Sequence, residues 1–447
     1  MERQSCMRDF VHYTILSVLG TLGVSCYILA DTFFVSKGLG TNGLTALNLA
    51  IPVYNFIHGT GLMLGMGGAT RFSICKSQEK MEEVDRVYTN TIYLALLFSG
   101  VFVLLGFFFP RQLAALLGAD TSVLEMTATY LRWLLLFAPA FILNDIWLCF
   151  VRNDGSPQLP MIAQLIGSFA NILLDYIFIF PMGMGIFGAI FATGLSPVIS
   201  IVIMLPHWGR KKNTFHLVKT KVRKYIIQQD LSLGFPSLIA QVSSGIVMIT
   251  FNAIILKLAG NTGVAAYGVV ANISLVVAAV YTGIAQGIQP LVSTFYGAGN
   301  NRQTKEVLKY AMVTLFSVSM IAYLFIFVFA DPITAVFNSE KNLELQQISV
   351  TGLKLYFISI PFVGYNIILA TFFTSIEKAL PAHILSILRG LVLIIPMAFL
   401  LSALWKMTGV WLAYPITEFL TALLGFIIYQ HKNKQKGTTG GQYNTII

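Results

Sequence analysis

The sequence predicts an all-α integral membrane protein with twelve transmembrane helices, arranged as two pseudo-symmetric lobes of six helices each. The composition, the lengths of the apolar runs and an internal repeat predict this class. Of the 447 residues, 56% are hydrophobic and 11% are charged, whereas soluble domains contain about 25% charged residues. Lipid is therefore the solvent along most of the chain. This excludes a soluble enzyme, a coiled coil, a disordered scaffold and a disulfide framework.

The apolar runs are long enough to cross a bilayer, whose core of about 30 Å requires about 20 apolar residues per helix. Two longer stretches contain turns, at PMGMG after Phe180 and at AGNTG from Ala259, because Gly and Asn favour turns over helix continuation. We predict helices over residues 11–37, 43–70, 87–110, 122–150, 157–180, 185–207, 230–257, 264–297, 305–330, 347–373, 380–403 and 408–430.

The distribution of basic residues gives the predicted orientation. With twelve helices, most of the 29 Lys and Arg residues fall on the side that carries both termini. Cytoplasmic loops collect Lys and Arg, so we expect both termini in the cytoplasm and the protein in the cell (inner) membrane. The net charge of +10 thus reflects topology, and we expect no nucleic-acid partner. The predicted outer side carries only Lys37, Arg111, Lys257, Lys341 and Lys406.

Similar segments recur in the two halves of the chain. LGTNGLTAL from Leu39 is echoed by AGNTGVAAY from Ala259, and MGIFGAIFAT from Met184 is echoed by TGVWLAYPIT from Thr408. Because six is even, both halves enter the membrane from the same side, which predicts parallel repeats with the substrate path between them. We predict a cytoplasmic N-terminus at 1–10, a first lobe at 11–208, a basic linker at 209–229, a second lobe at 230–430 and a cytoplasmic tail at 431–447.

Six short segments occur in order along the chain. They are DTFFVSKGLG at Asp31, FVRNDGSP at Phe150, NILLDYIFIF at Asn171, MGMGIFGAIFAT at Met182, GIQPLVSTFYGAG at Gly287 and GVWLAYPITEFL at Gly409. Together they resemble the multidrug and toxic compound extrusion (MATE) transporters, and in particular the bacterial branch with the MepA exporters and the DinF proteins. The resemblance implies a V-shaped pair of lobes that exports organic cations in exchange for protons or sodium ions, without a further cofactor. We expect a functional monomer in the bilayer.

Polar residues in predicted helices of the first half form a candidate ion site. Asp31 lies inside helix 1, where an ionisable group is costly and indicates function. Asn171 and Asp175 share one face of helix 5, and Thr193 lies on helix 6 beyond the PMGMG turn. Two neighbouring buried carboxylates favour uptake of a proton, and the amide and hydroxyl oxygens suit a hard cation such as Na⁺. A network that only holds the helices together is the alternative.

By resemblance, these four residues match the family's ion-coupling cluster in the N-terminal lobe. Tyr130 on helix 4 matches a position that borders this cluster, although a lone Tyr also serves in packing or at the membrane interface. The carboxylates that other members of the family use in helices 7 and 10 have no counterpart here. We therefore expect coupling to rest on the first lobe.

Two opposite charges lie inside predicted helices of the second half. Arg389 is on helix 11 and Glu418 is on helix 12 after Pro415. They form either a structural salt bridge or an ion-coupling or gating pair. If they pair, charge reversal at both positions restores the expression that single substitutions remove.

Polar, aromatic and thioether side chains on helices near the predicted path are candidates for drug contacts. Thioethers and aromatic rings adapt to many ligands, and aromatic faces attract cations. For each residue, ordinary helix packing is the alternative. The candidates are Phe141, Asn144, Met161, Gln164, Gln241, Phe251, Gln286 and Gln289.

Two other functions remain open at this point. A lipid-linked oligosaccharide flippase of the same superfamily requires a basic cavity for its pyrophosphate, whereas the candidate groups here are mainly acidic or amide. An intramembrane enzyme fits less well, because the chain contains no HExxH or DDxxD motif. The absence of a GxxxxGK[ST] motif excludes an internal ATPase of that type.

Overall fold

The computed structural model describes residues 2–209, 211, 213–338 and 341–438, and every regular element in these ranges is helical. Eight helices are long and apolar enough to cross a membrane, and one bent pair adds a ninth. Three of these nine contain a non-helical break that divides them into two spans. The described residues thus form the twelve transmembrane helices that the sequence predicts.

The first lobe contains helices 1 to 6. Helices 1 and 2 form one segment that breaks at Gly40, and helix 4 consists of two segments bent by 47°. The bounds are Glu2–Ser77 for helices 1 and 2, Met81–Phe108 for helix 3, Leu124–Leu136 with Ala138–Asn153 for helix 4, Gln158–Ile179 for helix 5 and Gly185–Met204 for helix 6; Pro110–Leu116 and Pro206–Gly209 are short helices.

The second lobe contains helices 7 to 12 in a similar arrangement. A 3₁₀ turn at Phe357–Ser359 interrupts helix 10, and a π turn at Leu388–Val392 interrupts helix 11. The bounds are Lys224–Gly297 for helices 7 and 8, Asn301–Val328 for helix 9, Leu343–Tyr356 with Ile360–Ser375 for helix 10, Ala379–Ile387 for the start of helix 11 and Ile394–Thr438 for its end and helix 12; Ala330–Phe337 is a short helix.

Glycines make the tight breaks between helices 1 and 2 and between helices 7 and 8. Gly40 has φ 65° and ψ −158°, and Gly260 has φ 60° and ψ −156°. Such angles strain residues with a Cβ atom but not Gly. The predicted loops of several residues between these helices are therefore wrong in length, because one glycine reverses the chain direction.

Helix 4 also differs from the straight helix predicted over 122–150. It breaks at Phe137, and Pro139 lies in the first turn of the next segment. Proline lacks the N–H that a continuing helix needs, so the chain bends here. Phe137 then packs under Gly194 of helix 6, where a Cβ atom would lie 2.3 Å from Phe137 Cδ2.

The buried apolar residues form two large clusters. One lies in the first lobe and includes Phe72 and Phe150. The other lies in the second lobe and includes Trp411, but it also takes in Cys6 and Phe10 from the start of helix 1. The first turns of helix 1 thus pack on the opposite lobe.

Glycines bring the two lobes into close contact near the predicted cytoplasmic side. A Cβ atom on Gly234 of helix 7 would lie 1.8 Å from the Met63 carbonyl oxygen of helix 2. A Cβ atom on Gly287 of helix 8 would lie 2.7 Å from the Thr14 Cα atom of helix 1. Because real Cβ atoms do not approach so closely, glycine is what permits this packing. The lobes are closed on the predicted cytoplasmic side.

The linker between the lobes is held against the first lobe over residues 213–223. Phe215 is fully buried. The Asp154 carboxylate accepts hydrogen bonds from the Thr214 N–H (2.9 Å), His207 Nε2 (2.9 Å) and Lys76 Nζ (2.5 Å). Burial opposes ionisation of Asp154, but these donors outweigh it and hold the pKa of Asp154 below its usual value. The linker is therefore docked rather than free.

Candidate functional site

The structure brings the four predicted ion-site residues of the first lobe together. Asp31 is 7% exposed, Thr193 is 4% exposed, and Asn171 and Asp175 are fully buried. The carboxyl groups of Asp31 and Asp175 contact each other. One oxygen of each, Oδ1, is buried without a hydrogen-bond partner among the described residues. Such atoms are costly in a protein interior unless a proton or a cation partners them.

The amide of Asn171 connects the carboxylates to helix 6. In the orientation that satisfies both ends of the amide, its nitrogen donates to Asp175 Oδ2 (3.0 Å) and its oxygen accepts from the Thr193 N–H (3.2 Å). The Thr193 hydroxyl donates to the Ala189 carbonyl at 3.0 Å. Tyr130 is buried, and its hydroxyl faces Thr193 and the two carboxylates. The site therefore contains carboxylate, amide and hydroxyl groups within one helix bundle.

Arg389 and Glu418 form an ion pair inside the second lobe. Arg389 donates to Glu418 Oε1 from Nε (3.0 Å) and from Nη2 (2.8 Å). Asn366 Nδ2 donates to Glu418 Oε2 at 2.7 Å and to the Glu418 carbonyl at 2.9 Å. Arg389 lies in the π turn of helix 11, a device that redirects side chains at functional or strained positions. Both carboxylate oxygens of Glu418 are thus satisfied.

Five of the predicted drug-path residues are partly exposed in the structure. Three of them carry a buried side-chain oxygen without a partner among the described residues: Asn144 Oδ1, Gln164 Oε1 and Gln286 Oε1. Gln164 of helix 5 lies against Gly20 of helix 1. The five are Asn144, Met161, Gln164, Gln241 and Gln286.

The other three predicted drug-path residues are buried. Phe251 is fully buried and stacks on Tyr267 at 5.6 Å. Gln289 donates to Thr70 Oγ1 (3.0 Å) and accepts from Asn153 Nδ2 (2.7 Å), which ties helix 8 to the first lobe. Neither side chain is exposed in this conformation. Phe141 is 6% exposed and packs its edge on a tyrosine of helix 2.

Sequence reasoning missed a second acidic group in the first lobe. His58 Nδ1 of helix 2 lies 2.8 Å from Asp145 Oδ2 of helix 4, and the Asp145 side chain is 5% exposed. Both residues lie inside predicted helices. The cost of an intramembrane ionisable group, applied to every position, is the signal that would have found them.

A family model matches most of the chain, over residues 17–177 and 236–400. The chain belongs to the MatE family. The two matched stretches contain Asp31, Asn171, Asp175 and Arg389, but Thr193 and Glu418 lie outside them. The resemblance found in the sequence is thereby confirmed, and the protein is a multi-pass membrane protein of a transporter family.

Similar curated proteins carry the name of a multidrug exporter. The chain is 25% identical over 429 residues to the multidrug export protein MepA of Staphylococcus saprophyticus, covering 96% of this chain and 94% of that protein. It is 24% identical to MepA of Staphylococcus aureus strain MSSA476 over the same shares.

Solved structures share the fold. A crystal structure of a MATE protein in complex with MaL6 superposes with a TM-score of 0.90 at 24% identity, covering 97% of this chain and 98% of that chain. An outward-facing multidrug resistance MATE transporter gives 0.89, covering 96% of both chains. A MOP superfamily transporter of Pyrococcus furiosus, described as having a binding pocket of reversed polarity, gives 0.88 at 24% identity, also covering 96% of both chains. These likenesses confirm the two-lobed fold.

Proposed function

We propose that this protein is a secondary active multidrug efflux antiporter of the cell membrane. It exports cationic, amphipathic organic compounds in exchange for protons by alternating access between its two lobes. The observation that carries the proposal is the contact between the Asp31 and Asp175 carboxyl groups, each with an unpartnered buried oxygen. Its relatives named MepA are multidrug export proteins.

The buried acids support a proton as the coupling ion. Two carboxyl groups in contact in a low-dielectric site hold a proton between them, because both cannot be ionised there at low cost. Release of this proton leaves two negative charges in the first lobe. The doubly charged state is unfavourable until the helices rearrange or a cation approaches. Because a bound proton and a cationic drug both reduce this negative charge, the binding of one opposes the binding of the other.

The same oxygen atoms also suit Na⁺, so sodium coupling is the alternative that the experiment must distinguish from proton coupling. The Asn171 amide, the Thr193 hydroxyl and two carboxylates supply the oxygen ligands that hard cations prefer. One charge crossing 100 mV supplies about 2.3 kcal/mol, which corresponds to between one and two decades of concentration ratio. Either ion is therefore adequate to drive export of a toxic compound.

The closed contact between the lobes supports alternating access. Gln289 and Gly234 join the lobes near the predicted cytoplasmic side, as does the ion pair between Arg71 of helix 2 and Glu377 after helix 10. Opening to the cytoplasm requires these contacts to separate. We further propose that both termini are cytoplasmic and that one chain is the transporting unit, since both lobes needed for a path lie in one chain.

Ethidium efflux from loaded cells tests the proposal. We would compare wild type with Asp175→Asn, each with and without a protonophore and with and without sodium. Asp120→Asn is a matched control, because Asp120 is an exposed aspartate in the loop between helices 3 and 4. We expect protonophore-sensitive efflux by wild type and by the control, and no efflux above background by Asp175→Asn at equal membrane expression.

Two results would contradict parts of the proposal. A strict sodium requirement without protonophore sensitivity would reassign the cluster to Na⁺. Absence of efflux by well-expressed wild type under every condition would overturn drug export and favour a lipid-linked oligosaccharide flippase. The fold alone does not decide this, since the Pyrococcus furiosus relative is described as differing in function.

A further inference from the structure

A histidine and an aspartate form a second ionisable pair in the first lobe, separate from the Asp31 and Asp175 cluster. His58 Nδ1 and Asp145 Oδ2 are 2.8 Å apart. The Asp145 side chain is 5% exposed and that of His58 is 25% exposed. His58 therefore covers Asp145 and is itself open on one side. A buried carboxylate needs a positive or donating partner. Asp145 Oδ2 accepts no well-aligned hydrogen bond from the described residues, and the 2.8 Å contact with His58 is the close polar contact that it has.

Helix 2 makes room for the carboxylate with two glycines. A Cβ atom on Gly61 would lie 2.5 Å from Asp145 Oδ2, and one on Gly65 would lie 2.9 Å from the Asp145 carbonyl oxygen. Side chains at these positions would displace Asp145. Asp145 is thus packed against the backbone of helix 2, and the His58 side chain lies at its exposed edge.

Aromatic rings surround the pair. Tyr54 stacks on His58 with ring centroids 6.0 Å apart and an interplanar angle of 17°. Phe141 meets Tyr54 edge to face at 5.8 Å, and the Tyr27 and Tyr54 hydroxyls are 2.7 Å apart. A carboxylate beside aromatic faces is the chemistry that recognises an organic cation, because the rings attract positive charge and bury apolar groups.

The pair lies where the two lobes meet. Gly59, next to His58, lies against Gln241 of helix 7, since its Cβ atom would be 3.0 Å from Gln241 Cβ. Asn55 Nδ2, one turn earlier, is 3.3 Å from Ser244 Oγ of the same helix. The open side of His58 is therefore on the stretch of helix 2 that borders helix 7, where a path between parallel repeats is expected.

We propose that Asp145 binds the organic cation in the first lobe, and that His58 is an internal occupant which the cation displaces. This rests on the proposed drug export. A monovalent cation with aromatic or alkyl groups takes the place of the imidazole beside the carboxylate and packs on Tyr54 and Phe141. When the cation leaves, His58 returns and keeps Asp145 from being buried without a partner. Competition between ligand and side chain distinguishes this role from a structural pair.

Binding of radiolabelled tetraphenylphosphonium to the purified full-length protein in detergent tests the proposal. The proteins compared are wild type, Asp145→Asn, His58→Ala and the Asp120→Asn control. We expect Asp145→Asn to weaken binding by about tenfold or more. We expect His58→Ala to tighten binding, because the competing side chain is gone, and Asp120→Asn to match wild type.

Each other outcome overturns the proposal. Unchanged affinity in Asp145→Asn shows that the carboxylate does not bind the cation. Equal or weaker binding by His58→Ala shows that the pair is structural, and this arm decides alone if Asp145→Asn does not fold. Absence of binding to folded wild type overturns the proposed drug export itself, whereas wild-type binding with an indifferent Asp145→Asn overturns only the site.

Discussion

The Asp31 and Asp175 pair of the first lobe and Glu418 of the second lobe are buried in opposite ways. In the first lobe, Asp31 and Asp175 touch each other and each keeps an oxygen without a partner. In the second lobe, Arg389 and Asn366 satisfy both oxygens of Glu418. The acid pair of the first lobe is therefore open to neutralisation by an ion, whereas Glu418 is already paired with Arg389.

The internal repeat shows where the lobes diverged. Asp31 lies eight residues before Leu39, and Phe251 lies eight residues before Ala259. Since the segments starting at Leu39 and Ala259 echo each other, a phenylalanine packed on Tyr267 stands where the first lobe has its acid. A common scaffold thus accommodates the proposed ion site in one copy and an apolar core in the other.

Removing the cation of the second lobe is expected to have the largest effect on stability. Arg389→Ala leaves Glu418 buried beside Asn366 alone, and breaking a buried pair in this way costs about 3–5 kcal/mol. We expect loss of monodisperse protein, measured by fluorescence-detected size-exclusion chromatography and by thermal unfolding in detergent. Asp175→Asn is expected to keep its fold, because it removes a charge that has no cation partner.

Exchange of the two charges sharpens this prediction. The double variant Arg389→Glu with Glu418→Arg is expected to recover expression that either single change loses. Failure of the exchange to restore expression, with both single variants defective, would contradict a simple ion pair. Full stability of Arg389→Ala would contradict the comparison between the lobes.

Adding a methyl group where the lobes meet is expected to have an intermediate effect. Gly234→Ala places a Cβ atom against the Met63 carbonyl, and overpacking costs about 1–3 kcal/mol. We expect slower efflux and a lower thermal midpoint. Gly100→Ala is the control, since no atom lies within 4 Å of its added Cβ. Equal efflux rates and equal thermal midpoints of the two variants would mean that the lobes do not close through this contact.

Releasing the linker from the first lobe is expected to have the smallest effect. Asp154→Asn removes the charge that holds Lys76, His207 and Thr214, at a cost of about 1–3 kcal/mol confined to this region. We expect faster trypsin cleavage at Lys219 and Lys221, measured by mass spectrometry of the fragments. Asp331→Asn, an exposed aspartate of the second lobe, is the control.

The lowered pKa of Asp154 gives this contact a defined pH dependence. A carboxyl whose pKa is lowered on folding stabilises the folded state above its usual pKa, and this contribution disappears as the pH falls through the lowered value. Docking of the linker is therefore expected to be constant at neutral and mildly acidic pH and to be lost only in acid. Hydrogen exchange at the Thr214 amide measures it. Loss of protection already at mildly acidic pH would contradict this assignment.

The helices were predictable from the sequence because each span needs a long apolar run. Their junctions were less so. The single-residue breaks at Gly40 and Gly260 depend on backbone angles that a Gly-rich motif permits without requiring. The bend at Phe137 follows from Pro139, but a prediction based on hydropathy continues one helix past this position.

The grouping of residues at the candidate ion site was partly predictable, since Asn171 and Asp175 share a helix face and Thr193 follows a short turn. The sequence also offered Arg389 as the partner of Glu418, but it did not indicate two other contacts. Asn366 of helix 10 contacts Glu418 of helix 12, and His58 of helix 2 contacts Asp145 of helix 4. Contacts between helices distant in sequence depend on helix rotation and packing, which the sequence of a single chain does not specify.

Drug-driven proton movement in liposomes that contain the purified protein and a trapped pH-sensitive dye tests the central claim most directly. Wild type and the folded charge-exchange variant of Arg389 and Glu418 are expected to move protons when drug is added on one side. Asp175→Asn is expected to move none. Proton movement that persists in Asp175→Asn, or that disappears in the folded charge-exchange variant, would contradict a coupling site confined to the first lobe.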